Sequence, residues 1–175
     1  MFRNILVCVD GSPQAERALT EAIDIASECR ARLTILTAVA RAPAWACTPA
    51  TAGALERLTP ELERDSLEIL RTAVDRVPES VPVTKILTHD PIRDALKHRV
   101  ETGNHDLVVI GSRGRGAVSA SLLGSVSHYA LHHSRVPVLI VQADTSAGQE
   151  LDQPAGAGSD QPAIPSPRRP AVAGA

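Results

Sequence analysis

The stretch Leu107-Val108-Val109-Ile110-Gly111-Ser112-Arg113-Gly114-Arg115-Gly116 decides the fold. Four aliphatic residues in a row, without polar alternation, suit a strand buried on both faces. The glycines behind them let the chain turn tightly and bring its backbone close to a neighbour. Further on, Gly124-Ser125 precedes Val126, Ala130 and Leu131, whose spacing predicts a helix from about Gly124 to His133 with those three residues available to pack. The unit is strand, glycine loop, helix.

Four more aliphatic runs repeat the pattern: Ile5–Val9, Leu33–Val39, Val83–Leu87 and Val136–Val141. Between them lie helical spacings. Ala15, Leu19, Ala22, Ile23 and Ala26 follow Ser12-Pro13, a capping residue with proline at the first helical position. Thr59-Pro60-Glu61 opens a second helix in the same way, with Leu62, Ile69, Leu70, Ala73 and Val77 on one stripe. Pro91 opens a third, carrying Ile92, Ala95 and Leu96. Alternating strands and helices predict an α/β domain: an open parallel five-stranded sheet, right-handed crossovers, helices on both faces. Ala40–Leu58 is the one long connection, and its Pro43, Pro49 and Gly53 argue against a regular element. Ligand sites in such sheets gather at the carboxyl ends of the strands. Those ends are Asp10-Gly11-Ser12, Ala38-Val39-Ala40, Thr88-His89-Asp90 and the residues after Ile110.

Composition sets the limits. The chain has 175 residues, with 18 basic and 20 acidic side chains, a net charge of −2 and 2% aromatics. That balance excludes binding to nucleic acid by bulk electrostatics. No apolar run approaches the roughly 18 residues of a membrane span, and Ile5–Val9 is too short for a signal-peptide core, so a cytoplasmic protein is expected. Cys8, Cys29 and Cys47 are odd in number and far apart, which suggests neither a disulfide framework nor a zinc cluster. After Asp144 the character changes. Residues 145–175 hold 7 Ala, 5 Pro and 4 Gly, too little apolar area to offset ordering, so a domain over 1–144 and a disordered tail over 145–175 are expected. The tail reads either as a proline-rich docking segment with Arg168-Arg169 or as an inert extension.

The glycine loop suggests anion binding. Successive backbone N–H groups in such a loop form an anion-binding concavity. The helix that begins at Gly124-Ser125 would aim its open N–H groups and positive dipole end at the same place. The hydroxyls of Ser125 and Ser127 would add hydrogen bonds to phosphate, and Arg113 or Arg115 would add charge. Other phosphate motifs fit worse. No Gly-Lys-Ser/Thr follows, and the only lysines are Lys85 and Lys97, which excludes a P-loop. Gly114-Arg115-Gly116 is an incomplete dinucleotide fingerprint and follows the fourth strand instead of the first.

Gly111-x2-Gly114-x9-Gly124-Ser125 resembles the ATP-binding pattern of the universal stress protein family at every fixed position. Asn4-Ile5-Leu6-Val7-Cys8-Val9-Asp10-Gly11-Ser12 resembles its first strand and acidic loop. Gly124-Ser125-Val126-Ser127 and Val136-Pro137-Val138-Leu139-Ile140-Val141 resemble its last helix and strand. The resemblance spans Met1–Val141. It implies a Rossmann-like, adenine-nucleotide-hydrolase-like fold and a nucleotide-dependent stress-response or signalling role. Asp10 would contact the nucleoside and the Val39 backbone would meet adenine. Gly111, Gly114, Gly124 and Ser125 would surround the phosphates. The implied ligand is ATP, with AMP or cyclic AMP as alternatives, together with Mg2+ bridging the phosphates. A homodimer through the last strand is implied as well. One position departs from the pattern: His89 stands where the family usually has a glycine before Pro91. It either narrows the adenosine end of the pocket, stacks on the base, or sits at a loop tip in water.

No catalytic or metal constellation emerges. His128 and His132 are four apart but lack the adjoining glutamate of a zinc protease. Cys8 reads as a buried small apolar residue, and Cys47, beside Trp45, as the more available thiol. Without a base to activate water, any ATP hydrolysis should be slow. Two alternatives to a nucleotide-binding module remain at this level: an interaction protein of the same fold that binds no ATP, working with an unidentified protein partner, and a weak ATP hydrolase or phosphotransferase.

Overall fold

The computed structural model describes residues 1–41, 48, 50–114 and 123–143. The expected boundary at Asp144, the 145–175 segment, Trp45, Cys47 and Arg115 lie outside the described residues. The strands are β1 (Asn4–Cys8), β2 (Arg32–Ala38), β3 (Val83–Thr88), β4 (Leu107–Gly111) and β5 (Val138–Val141). They form one parallel sheet in the order β3-β2-β1-β4-β5. The helices α1 (Pro13–Cys29), α2 (Ala52–Asp75), α3 (Ile92–Thr102) and α4 (Ser125–His133) connect them in turn. The expected α/β architecture stands.

The runs of β1, β2 and β4 lack alternation because both faces of the sheet are covered there, whereas β3, expected to be buried as well, is an edge strand with exposed and half-buried residues only. Ile5, Val7, Leu33, Ile35 and Val109 pack with Leu19, Ile23 and Ala26 of α1 and Leu70 and Ala73 of α2. Their neighbours Leu6, Leu36, Val108 and Ile110 pack with Ala95 and Leu96 of α3 and Ala130 of α4. Each central strand therefore buries successive residues in opposite layers. At the amino end of the sheet, the Asp106 carboxylate accepts from the Arg3 N–H at 2.7 Å and the Asn4 N–H at 3.0 Å, tying β1 to the start of β4.

The strand order reverses between β1 and β4. The chain leaves β1 toward β2 and β3, then returns to lay β4 on the other side of β1. A crevice at the carboxyl ends of the strands opens at such a reversal. Here it separates the loop after β1 from the loop after β4.

Several boundaries differ from the sequence reading. β2 ends at Ala38 and β5 begins at Val138, one residue short and two residues late. Pro137 has no N–H for the ladder but its carbonyl still accepts from Val108 at 3.0 Å. Leu131, expected to pack, is exposed on α4. The largest difference is α2, which starts at Ala52 and runs through Pro60, so residues 52–58 of the expected irregular connection are helical. Thr-Pro is a common helix opening, but here the packed stripe, not the helix, begins near Pro60. Leu62 is half-buried, Ser66 and Leu70 are buried, and residues 56–61 are exposed. Pro60 is exposed, and its pyrrolidine ring is accommodated on the solvent side.

Proline inside a helix removes one backbone hydrogen bond and crowds the carbonyl four residues earlier. Pro60→Ala should therefore raise stability by about 2 kcal/mol, after subtracting the flexibility it returns to the unfolded chain. Urea unfolding reads the difference. A loss of stability would mean that the helix starts at Thr59-Pro60.

Candidate functional site

The loop after β1 is Asp10-Gly11-Ser12. Gly11 has φ 76°, a left-handed conformation that suits glycine. The turn lets Asp10 Oδ1 accept from the Ser12 N–H at 3.0 Å and from Ser12 Oγ at 2.6 Å. Ser12 is in turn the N-cap of α1, its Oγ accepting from the Ala15 N–H at 3.3 Å. One carboxylate oxygen of Asp10 thus fixes the turn and the start of the helix. The other, Oδ2, faces Gly114, where a Cβ would collide with it.

Across the crevice, Gly111 closes β4 against the first turn of α1. A Cβ on Gly111 would stand 2.7 Å from the Gln14 carbonyl carbon and 2.8 Å from the Ala15 nitrogen. The Ser112 N–H donates to the Val141 carbonyl at 2.6 Å, and the Gly124 N–H donates to the Ser112 carbonyl at 2.7 Å. The loop's two ends are therefore stitched together. A Cβ on Gly124 would press within 3.3 Å of Arg113 Cα.

These bonds assign uses that the sequence did not reveal. The N–H of Gly124 is engaged by Ser112, so an anion would meet the N–H groups of Ser125 and its successors. Ser127, expected to offer its hydroxyl to phosphate, is buried and donates instead to the Gly111 carbonyl at 2.7 Å. Ser125 is exposed at the first position of α4. Because Gly124 is the N-cap, no side chain caps that helix. The Val39 N–H donates to the Thr88 carbonyl at 2.9 Å, so a base beside Val39 would be met by its carbonyl.

A cavity of about 670 Å³ joins these parts, within the roughly 300–1,000 Å³ range of small-molecule sites. Asp10, Val39, Gly111, Arg113, Gly114, Gly124, Ser125 and Ser127 all line it. Its far wall adds Thr37, Ser66 and Ile69, with Pro91 and Ile92 where α3 begins. His89 is not part of that lining. Its ring is exposed, with Nε2 3.5 Å from Glu63 Oε1 on α2. Cys8 also borders the cavity, and burial, helped by the Asp10 charge, pushes its thiol up to about 12, so it stays protonated and unreactive near neutral pH. His128 and His132 lie with ring centroids 4.5 Å apart. Among the described residues, no group of three or more His, Cys, Asp or Glu side chains converges as a metal site.

Gly114 and Asp10 thus come together over the strand-order reversal. The model of the universal stress protein family matches residues 1–142. The chain belongs to the universal stress protein family. The universal stress protein YxiE of Bacillus subtilis is 34% identical over 151 residues, covering 81% of this chain and 100% of YxiE. A universal stress protein of Mycobacterium tuberculosis is 35% identical over 138 residues, covering 79% of this chain and 45% of that longer relative. The solved structure of a universal stress protein in complex with cAMP is 28% identical with a TM-score of 0.58, covering 82% of this chain and 98% of that one. Universal stress proteins are stress-response proteins, and this chain shares their α/β fold. No helix among its described residues is long and apolar enough to cross a membrane.

The contacts separate the roles of two family glycines. Gly111→Ala should cost about 1–3 kcal/mol by forcing β4 away from α1, whereas Gly114→Ala, facing a carboxylate at the crevice, should cost less than about 1 kcal/mol. Chemical denaturation of both variants measures this. Equal losses would contradict the assignment of Gly111 to packing and Gly114 to the site.

Proposed function

We propose that this chain binds an adenine nucleotide in the crevice between the loops after β1 and β4 and acts as a nucleotide-dependent stress-response module. The observation that carries this reading is the meeting of Asp10 Oδ2 with the bare Cα face of Gly114, at the mouth of a cavity that also receives the uncapped start of α4. Phosphate would lie against the N–H groups at Ser125 and in the glycine loop, with Arg113 adding charge. The Arg113 Nε supports this, being buried without a hydrogen-bond partner. Asp10 would accept from ribose hydroxyls, and the Val39 carbonyl from an adenine amine. The related protein in complex with cAMP supports an adenine ligand.

ATP is the proposed ligand, with AMP and cyclic AMP as alternatives. When Mg2+ accompanies ATP it would be held through phosphate oxygens, neutralising their charge without a dedicated cage of side chains. Asp10 is committed to holding Ser12, which suits a residue that positions a ligand more than one that activates water, so little or no hydrolysis is expected. Among the described residues β5 is an edge of the sheet, and its outer side offers a surface for pairing two copies into a homodimer. We place the protein in the cytoplasm.

Isothermal titration of nucleotide-stripped protein with ATP and Mg2+, and separately with AMP and cyclic AMP, tests the reading. Saturable binding at micromolar to low-millimolar concentration is expected, and Gly114→Val should abolish it while far-UV circular dichroism stays unchanged. Absence of binding by all three nucleotides, or unchanged affinity in Gly114→Val, would overturn it. Absence of binding would leave a dimeric interaction protein of the same fold.

A further inference from the structure

Among the described residues, three buried side-chain polar atoms have no hydrogen-bond partner: Thr37 Oγ1, Arg113 Nε and His105 Nδ1. His105 precedes β4, at the opposite end of the sheet from the crevice. The other two line the cavity. Arg113 already belongs to the expected phosphate end. Thr37 does not follow from any motif, and it is 1% exposed.

Register and alternation place it. Cys8 pairs with Leu36 and with Ile110, so Thr37 and Gly111 come next along β2 and β4, beside Val9 just past β1. Leu33 and Ile35 face the layer of α1 and α2, and Leu36 faces the other layer, which puts Thr37 on the α2 side. There Ser66 and Ile69 complete the cavity wall. Ser66 donates its hydroxyl to the Leu62 carbonyl at 2.8 Å, and no group among the described residues lies within hydrogen-bonding reach of Thr37 Oγ1. A hydroxyl buried with no partner is unfavourable, and valine would fill the same volume without that cost. Threonine at this point is explained by a partner that arrives with a ligand.

We propose that Thr37 Oγ1 forms a side-chain hydrogen bond to the base of the bound nucleotide and so sets base specificity. This rests on the nucleotide reading above. With phosphate at the β4–α4 loop and ribose over Asp10 after β1, the ligand extends toward the end of β2, where Thr37 lies and Val39 follows. Adenine presents ring nitrogens that accept and an amine that donates, and a threonine hydroxyl can answer either.

The test is calorimetric titration of wild type, Thr37→Val and Thr37→Ser with AMP and with its 1-deaza, 3-deaza, 7-deaza and 6-desamino analogues, which together remove each hydrogen-bonding position of adenine in turn. Thr37→Val should weaken AMP binding about five- to tenfold, the worth of one hydrogen bond. Its ligand-free melting temperature should equal or exceed that of wild type. Thr37→Ser should restore most of the affinity, and wild type and Thr37→Val should bind one of the four analogues alike. Should Thr37→Val fail to fold, Thr37→Ala gives the same comparison.

Equal AMP affinity in wild type and Thr37→Val would overturn the assignment while leaving the nucleotide site intact. So would an identical loss across AMP and all four analogues, because Thr37 would then not be meeting the base. Failure of wild type to bind any adenine nucleotide would instead overturn the functional reading and this assignment with it.

Discussion

The contact on which the site depends is the seating of Gly111 against the first turn of α1, locked by the hydrogen bond from Ser127 Oγ to the Gly111 carbonyl at 2.7 Å. It holds the end of β4 close to the end of β1. From there the Gly124–Ser112 and Ser112–Val141 hydrogen bonds fix both ends of the glycine loop. A side chain at Gly111 would separate β4 from α1 and move the loop off Asp10. The crevice is thus a consequence of backbone packing, and the polar groups in it are placed by elements that are themselves buried.

Much of this was legible in the sequence. Continuous aliphatic runs without alternation require cover on both faces, which only crossover helices supply. Ser12-Pro13 marked the start of α1, and Gly124-Ser125 that of α4, because capping chemistry is local. Asp10, Gly111, Gly114 and Gly124 were likewise singled out by their spacing and their place after the strands, with their roles implied by the family resemblance. That they share one cavity follows from the strand order, which no local pattern encodes.

The remainder depends on what packs against what. Residues 52–58 read as part of an irregular connection and Thr59-Pro60 as a helix start, yet one helix runs through both. Ser127 looked like a phosphate ligand, but it lies on the buried face of α4 and its hydroxyl donates to the Gly111 carbonyl. Leu131 has a core-forming side chain but lies on the outer face of a nine-residue helix. Thr37 gave no signal at all. A threonine in a strand is ordinary, and only the absence of a partner inside a cavity distinguishes it.

The most direct test of the nucleotide crevice is backbone amide NMR of the protein titrated with AMP. The amides of Gly114, Ser125 and Val126 at the phosphate end, and of Asp10 after β1, should show the largest saturable shifts. Amides at the amino end of the sheet, such as His105 and Asp106, should stay still. Saturable shifts centred away from the carboxyl ends of β1 and β4, or no shifts at millimolar AMP, would contradict the account.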